Sequence, residues 1–325
     1  MALLEPIFAL AGGLLGLLVG SRFAVGGSLE IARRLGWPPW VAGVLLLALG
    51  TSLPEFFVIA EAAPAYPGLA LATVMGSNAF NVGIVLGLLL LLFGDPRLGG
   101  ERVHKLLLTI LLVGSSIALC SFAGPKIPYG ASLVFFFLYG TVVLRLVLSN
   151  RGTPPLAREK EGPSLSPFYV GWKTWPVTLA SFALLAISAY FFLDGSLNLA
   201  GRLGWTEGLA GFLIVAVGTS APEIFTSFQA IREGKPGAVY GNILGSNLFN
   251  LLLAGGLVGI LQNPHAPIEP GSMDKILAVN LGATLALGLL ALLIGCKVFR
   301  APLPRLIGAV LLLGYFLAAT QALSG

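Results

Sequence analysis

Two stretches of this chain are copies of each other, and this duplication limits the fold more than any other feature of the sequence. Residues 27–55 (GSLEIARRLGWPPWVAGVLLLALGTSLPE) align without a gap to residues 195–223 (GSLNLAGRLGWTEGLAGFLIVAVGTSAPE), with 17 of 29 positions identical. Each copy ends in a proline followed by a glutamate. The sequence therefore consists of two related halves.

Both copies lie in sequence that is too apolar for a soluble domain. Hydrophobic residues make up 56% of the chain and charged residues 10%, whereas soluble domains carry about 25% charged residues. A helix needs roughly 20 apolar residues to cross a bilayer. Ten runs approach or exceed this length, at residues 3–20, 38–63, 68–93, 104–123, 127–148, 174–194, 206–231, 237–261, 274–295 and 302–323. The first and sixth can continue as longer helices through residues 26–36 and 195–204.

The basic residues indicate how these spans are oriented, because cytoplasmic loops carry an excess of Lys and Arg. With the N-terminus outside, the inner loops hold 16 of the 19 Lys and Arg residues and the outer loops hold 3. The polar residues 149–173 then form a cytoplasmic linker between the halves 1–148 and 174–325. Because each half has five spans, the second half enters the membrane upside down. We therefore predict an all-α integral membrane protein with ten transmembrane helices in two inverted five-helix repeats, both termini outside, as is typical of secondary transporters.

The duplicated proline–glutamate pair predicts where the transported species binds. Pro54 has no N–H group to donate to the carbonyl of Gly50, so the helix is expected to unwind there. Unwound backbone at membrane depth persists only where it lines protein or water. The hydroxyls of Thr51 and Ser52 and the carboxylate of Glu55 add further oxygens. The second half repeats this set at Gly218, Thr219, Ser220, Pro222 and Glu223.

Glu55 and Glu223 fall near the middle of their spans, where no Lys or Arg is available at the same depth. An acidic side chain within a membrane is functional by default, although a salt-bridged or interfacial role is the structural alternative. Calcium prefers six to eight oxygen ligands in flexible geometry, and its two charges would balance two carboxylates. The pair therefore predicts a site for a hard cation.

A second duplicated motif follows each glutamate. The stretches MGSNAFNVGIVLGL (residues 75–88) and LGSNLFNLLLAGGL (residues 244–257) both contain G-S-N-x-F-N. Ser77 and Asn81 are four residues apart and so share one face of a helix, as do Ser246 and Asn250. Small and polar residues also join helices in membranes, but two copies in the same order favour a role in binding.

Together, GTSLPE with GSNAFN and GTSAPE with GSNLFN resemble the paired α-repeats of the calcium/cation antiporter superfamily, specifically the sodium/calcium exchangers. The resemblance covers residues 43–88 and 211–257, and it implies alternating access, with sodium entering as calcium leaves. It also implies a set of ion ligands, some of them through backbone carbonyls. Carried over position by position, this set is Ala48, Thr51, Ser52, Glu55, Ser77, Asn81, Ala216, Thr219, Ser220, Glu223, Ser246 and Asn250.

Two other functions remain open at this point. A proton/calcium antiporter would use the same glutamates, but relatives with proton coupling carry a different first motif, so GTS[LA]PE favours sodium. A cation channel usually builds its pore by oligomeric symmetry, whereas this chain holds its symmetry internally. Many relatives carry an aspartate where Asn250 stands, including potassium-dependent ones, which argues against potassium coupling here.

The remaining expectations concern partners and location. The transported ions are Ca²⁺ and Na⁺, no other cofactor is implied, and no nucleophile–base pair within a span suggests an enzyme. No basic cluster interleaved with aromatic residues points to nucleic acid. The chain is expected to act within the lipid bilayer of a prokaryotic cell (inner) membrane, where a monomer suffices for transport.

Overall fold

The computed structural model describes residues 4–94, 113, 117, 127–150, 169, 171–202, 220–263, 282 and 303–323. Most of these residues are helical, and none of them lies in a β-strand. The α-helices are α1 (Leu4–Leu35), α2 (Pro39–Ala42), α3 (Ala48–Ala62), α4 (Pro67–Phe80), α5 (Gly87–Phe93), α6 (Tyr129–Ser149), α7 (Thr174–Arg202), α8 (Ala221–Arg232), α9 (Pro236–Leu248), α10 (Gly255–Leu261) and α11 (Leu303–Leu323). Three π-helical turns connect successive helices, at Gly43–Leu47, Asn81–Leu86 and Phe249–Ala254.

Six of the described helical stretches are long and apolar enough to cross a membrane. They are Leu4–Leu35, Pro39–Ala62, Ala70–Phe93, Tyr129–Ser149, Gly171–Ser196 and Pro236–Leu261, which match the first, second, third, fifth, sixth and eighth predicted spans. α11 holds a shorter apolar helix, Pro304–Leu317, within the tenth. The predicted spans 104–123 and 274–295, apart from the isolated residues 113, 117 and 282, and the first part of span 206–231 lie outside the described residues. The total of ten helices thus stays a prediction.

The first and sixth predicted spans do continue as long helices. α1 has 32 residues, so it is about 48 Å long at 1.5 Å per residue and exceeds the roughly 30 Å hydrocarbon core of a bilayer. It ends at Gly36, whose φ of 71° lies in the left-handed region that glycine adopts at helix ends. Arg33 and Arg34 occupy its last turn, where positive charge is favourable.

Residues 1–53 and 150–242 form one compact unit, in which α1 packs against α7 along its length. The helices approach through glycines: a Cβ atom on Gly13 would lie 2.8 Å from Cα of Phe192, and one on Gly20 would lie 3.1 Å from the side chain of Leu185. Further along α1, Gly27 faces Thr178. Since residue numbers rise on α1 as they fall on α7, the first helices of the two halves are antiparallel, as an inverted repeat requires.

The end of the predicted linker is attached to α1 in the same unit. Arg34 donates hydrogen bonds to the backbone carbonyls of Tyr169, at 2.8 Å, and Gly171. The hydroxyl of Tyr169 in turn donates to the carbonyl of Phe23 at 2.8 Å. Burial raises the pKa of Tyr169 to about 12, so the phenol keeps its proton and can act as this donor. These bonds fix the start of α7 beside α1.

Residues 54–149 and 243–325 form the other compact unit. In it, α11 packs on α5 and on the π-helical turn Asn81–Leu86, while α6 packs on α10 and on the turn Phe249–Ala254. The rings of Tyr315 and Phe80 pack in a T-shaped arrangement with centroids 5.8 Å apart, as do those of Tyr139 and Phe249 at 5.9 Å. Phe80 and Phe249 belong to the two G-S-N-x-F-N motifs, so an aromatic contact holds each motif against a neighbouring helix.

The helix does not unwind at Pro54, contrary to the expectation from the sequence. α3 continues through this proline from Ala48 to Ala62, because a proline removes one intrahelical hydrogen bond and neighbouring groups can compensate for that loss. The irregularity lies just upstream instead, in the π-helical turn Gly43–Leu47. In the second half, Pro222 occupies the first turn of α8. An N–H group there has no acceptor within the helix, so a proline removes no intrahelical hydrogen bond.

Candidate functional site

Every predicted site residue that the structure describes is buried. The carboxylate residues Glu55 and Glu223 are only 2% and 1% exposed. The other buried members are Ala48, Thr51, Ser52, Ser77, Asn81, Ser220, Ser246 and Asn250. Ala216 and Thr219 lie outside the described residues.

Glu223 lies in the first turn of α8. Ser220 immediately precedes this helix in a non-helical conformation, with φ of −97° and ψ of 12°. Its carbonyl accepts the first helical hydrogen bond, from the N–H group of Ile224 at 3.2 Å. The first N–H groups of a helix carry partial positive charge, so this position favours a carboxylate. The described part of this motif, Ser220–Glu223, thus begins a helix and places its acid at the positive end.

The motif of the first half contacts this carboxylate. Ser52 on α3 donates its hydroxyl hydrogen to Oε1 of Glu223 at 3.1 Å. The neighbouring Thr51 donates its own hydroxyl hydrogen to the carbonyl of Leu47 at 3.0 Å. Because a hydroxyl has one hydrogen and two lone pairs, each oxygen keeps lone-pair capacity after these bonds. The two duplicated motifs therefore meet within one compact unit, at Ser52 and Glu223.

Asn242 on α9 belongs to the same polar group, although it is not among the site residues predicted from the sequence. Its Oδ1 lies 3.4 Å from Oγ1 of Thr51, while its Nδ2 donates to Oγ1 of Thr226 and to Oγ of Ser227 at 3.3 and 3.4 Å. One amide thereby joins α3, α8 and α9. The alignment of the two halves could have identified Asn242, because it corresponds to Thr73 and both halves therefore have a polar residue at this position.

Four buried asparagines form a second polar group, in the unit of residues 54–149 and 243–325. Asn78 donates its Nδ2 to the backbone carbonyl of Asn247 at 3.2 Å, and Asn247 donates its Nδ2 to the backbone carbonyl of Asn78 at 3.3 Å. Asn81 donates to Oδ1 of Asn247 at 3.1 Å, and Asn250 donates to Oδ1 of Asn78 at 3.2 Å. The two G-S-N-x-F-N motifs thus contact each other in a reciprocal pattern.

Both outer asparagines of this group lie in π-helical turns. Asn81 begins the turn Asn81–Leu86, and Asn250 is the second residue of Phe249–Ala254. Such turns widen a helix locally and are frequent at functional sites. Sequence periodicity showed that these residues lie on helices, but it does not reveal a change from α- to π-helical winding.

The chemistry of both groups is that of hard oxygen ligands. They contain carboxylate, hydroxyl and amide carbonyl oxygens, which Ca²⁺ and similar cations prefer. Among the residues that the structure describes, no three or more His, Cys, Asp or Glu side chains cluster together. A cation bound by the described residues would therefore take most of its ligands from neutral oxygens.

Comparisons with known proteins agree with this chemistry. The sequence profile of the family described as sodium/calcium exchanger protein matches residues 6–148 and 173–323. The putative antiporter CaxA of Alkalimonas amylolytica is 31% identical over 326 residues, covering 96% of this chain and 97% of CaxA. Sodium/calcium exchanger MaX1 of Methanosarcina acetivorans is 27% identical over 285 residues, covering 76% and 81%. A structure of the sodium-calcium exchanger NCX_Mj, soaked with 100 mM Na⁺ and 10 mM Sr²⁺, matches with a TM-score of 0.76 at 27% identity over 98% of each chain.

Proposed function

This chain belongs to the sodium/calcium exchanger family, and on that premise we propose that it is a secondary antiporter that exchanges sodium for calcium by alternating access. Members of this family are multi-pass membrane transporters of cations and not enzymes. Ca²⁺ and Na⁺ are the substrates, and the site releases each of them in every cycle. A site made mostly of neutral oxygens suits this requirement, because each such ligand contributes less binding energy than a carboxylate.

The proposed ion site takes its negative charge from Glu55 and Glu223. Hydroxyl and amide oxygens complete the coordination, together with the backbone carbonyls of Ala48 and Ala216. The remaining proposed ligands are Thr51, Ser52, Ser77, Asn81, Thr219, Ser220, Ser246 and Asn250. The duplication of both motifs supports one site that uses both sets, because each half of an inverted repeat contributes equivalent groups near the midplane.

One observation carries this proposal: Glu223 is 1% exposed in an apolar chain and receives the hydroxyl of Ser52 from the other copy of the same motif. Burying an acidic side chain is costly, and a purely structural role would be met more cheaply by an apolar residue. A carboxylate kept here in both halves of the sequence indicates a charged ligand that binds there.

Sodium is the favoured coupling ion because the duplicated motifs supply hydroxyl oxygens beside each glutamate. Oxygen ligands without protons to release suit an alkali cation, whereas proton coupling needs only the carboxylates. MaX1 is named a sodium/calcium exchanger, and the NCX_Mj structure was soaked with Na⁺ and Sr²⁺. We extend sodium coupling to this chain on these grounds, with proton/calcium exchange as the alternative.

Calcium-45 uptake into proteoliposomes tests the coupling ion. Vesicles are loaded with Na⁺ and diluted into medium without Na⁺, and matched vesicles carry instead an inside-acidic pH gradient with no Na⁺ on either side. We expect uptake only under the outward sodium gradient, with no change when external K⁺ is varied. Uptake driven by the pH gradient alone would replace sodium with protons in the proposal.

The same vesicles distinguish an antiporter from a channel. Antiport requires a counter-ion, so calcium efflux into medium that contains neither Na⁺ nor Ca²⁺ is expected to stop, whereas external Na⁺ restores it. Efflux that proceeds without any counter-ion and does not saturate would identify a channel.

A further inference from the structure

The four buried asparagines make different hydrogen bonds, although both motifs have asparagine at the same two positions. Asn78 and Asn247 hold each other through two reciprocal bonds to backbone carbonyls, at 3.2 and 3.3 Å. The side chains of Asn81 and Asn250 each make one hydrogen bond within the group, to the side chains of Asn247 and Asn78 respectively. The pattern separates an inner pair from an outer pair.

The hydrogen-bond partners fix which way each inner amide points. A backbone carbonyl can only accept a hydrogen bond, so the group of Asn247 that faces the carbonyl of Asn78 must be its NH₂ group. The Oδ1 atom of Asn247 must then point the other way, towards Asn81. By the same reasoning, Oδ1 of Asn78 points towards Asn250. Neither inner amide can be turned over without losing a buried bond.

This constraint passes to the outer pair. Asn81 approaches an oxygen that can only accept, so it must present its NH₂ group to Asn247, and Asn250 must do the same to Asn78. The Oδ1 atoms of Asn81 and Asn250 therefore point away from the group. Both are buried and receive no hydrogen bond from the residues that the structure describes. A buried carbonyl oxygen without a donor is unfavourable, so its presence twice at equivalent positions calls for a ligand.

We propose that Asn78 and Asn247 are positioning residues of the ion site: each sets the amide of one outer asparagine so that its carbonyl oxygen, and not its NH₂ group, faces the transported cation. Asn247 sets Asn81, and Asn78 sets Asn250. An outer amide turned over would direct its positive end at the cation, changing an attractive ion–dipole contact into a repulsive one. This inference rests on the proposed function, in that Asn81 and Asn250 are taken as ion ligands.

The structural alternative is that the inner pair only joins the helices on which it lies. Asparagine side chains do join helices in membranes, and either role predicts that removing the side chain of Asn247 weakens Ca²⁺ exchange. The two roles differ in whether this loss of exchange depends on Asn81. A positioning residue matters only while the amide that it sets is present, whereas a contact between helices matters regardless of Asn81.

A double-mutant cycle separates the two roles. Asn247→Leu keeps the approximate shape of the side chain and removes its polar atoms. We expect it to raise the half-saturating Ca²⁺ concentration for exchange about tenfold in the parent chain, as the loss of roughly 1.4 kcal/mol of ion binding implies. In an Asn81→Ala background the same change is expected to have less than a twofold effect. In an Asn250→Ala background the tenfold effect is expected to persist, because Asn78 sets Asn250.

The mirror set repeats the test with Asn78→Leu, which should lose its effect with Asn250→Ala and keep it with Asn81→Ala. The backbone carbonyl of Asn78 survives this substitution, so Asn247 retains its own anchor. Asn198→Leu is the matched control: Asn198 is exposed on α7 and donates to the carbonyl of Asp194 at 2.9 Å. It should leave the half-saturating concentration unchanged.

An equal effect of Asn247→Leu in the parent and Asn81→Ala backgrounds would overturn the positioning role. So would a variant that no longer folds, judged by its thermal unfolding in detergent, since it would assign Asn247 to the fold. The rise in Tm caused by Ca²⁺ gives the same cycle without transport. If the parent binds Ca²⁺ but does not exchange it for sodium, the proposed function fails while the positioning role remains open to this measurement. If Ca²⁺ raises neither transport nor Tm in the parent, both fail.

Discussion

A glutamine at position 223 or 55 keeps the shape of the side chain and removes one negative charge. Both carboxylates are buried, so water cannot compensate for the lost attraction to a divalent cation. We expect Glu223→Gln and Glu55→Gln each to lower sodium-driven calcium-45 uptake by about 100-fold or more, equivalent to at least roughly 3 kcal/mol. The unfolding temperature in detergent should change little, because an amide is less costly to bury than a carboxylate.

Glu61 provides the control for this prediction. It lies on α3, the helix that also carries Glu55, but its side chain is exposed. Glu61→Gln makes the same chemical change outside the buried groups and should retain uptake within about twofold of the parent, since an exposed charge is screened. Normal uptake by Glu223→Gln, or its loss on Glu61→Gln, would disprove the assignment.

At the scale of residues, the sequence located buried polar residues but not the different hydrogen bonds that each of them makes. Glutamates in the middle of apolar runs and a repeated G-S-N-x-F-N motif indicate buried polar groups without any structure. Asn242 could not be selected in this way, because its partners Thr51, Thr226 and Ser227 come together only after folding. The difference between Asn78 and Asn81 is likewise absent from the sequence, since it depends on which atoms face a backbone carbonyl.

At the scale of elements, the contact between α1 and α7 depends on glycines that allow the two backbones to approach. A Cβ atom on Gly13 would lie 2.8 Å from the Cα atom of Phe192 and from the carbonyl oxygen of Ser188. Backbone atoms cannot turn aside as a side chain can, so the helices would have to separate. We expect Gly13→Ala to destabilise the protein by about 1–3 kcal/mol, the usual cost of overpacking, measured as a lower unfolding temperature in detergent.

Gly12 is the neighbouring control on another face of α1. A Cβ atom there would meet no atom within 4 Å, and alanine is a better helix former than glycine by about 1 kcal/mol. Gly12→Ala is therefore expected to leave the unfolding temperature unchanged or to raise it. Equal destabilisation by the two substitutions would mean that loss of glycine flexibility, and not the contact with α7, is responsible.

The helices themselves were largely predictable, and their irregularities were not. Apolar run lengths located α1 and α7, and the helix-compatible polar residues after each run predicted the extensions, which end at Leu35 and Arg202. The continuation of α3 through Pro54 was not expected, because sequence rules treat the lost hydrogen bond at proline as an interruption. The π-helical turns were missed since the same side-chain pattern fits α- and π-helical winding over a few residues.

At the scale of the whole molecule, the compact units do not follow the halves of the sequence. The first unit combines residues 1–53 with residues 150–242, and the second combines residues 54–149 with residues 243–325. Each unit therefore contains parts of both repeats. Contacts between distant parts of the chain decide this grouping, as between α1 and α7, and a duplication in the sequence does not report them. The antiparallel course of those two helices nevertheless agrees with an inverted repeat.

The inversion makes a prediction about the two sides of the membrane. Five spans in each half place the linker in the cytoplasm and the C-terminus outside, a topology that rests on the segregation of Lys and Arg among the loops. The native Cys120 and Cys296 are first replaced with alanine, and one cysteine is then introduced at Ser164 in the linker or at Ser324. In intact cells, a membrane-impermeant maleimide should label the cysteine at position 324 and not the one at position 164.

Permeabilised cells, in which both positions should react, are the control for reactivity. Labelling of both positions in intact cells would mean an even number of spans between them, so the second half could not be the inverse of the first, and the shared midplane site proposed for Glu55 and Glu223 would lose its basis.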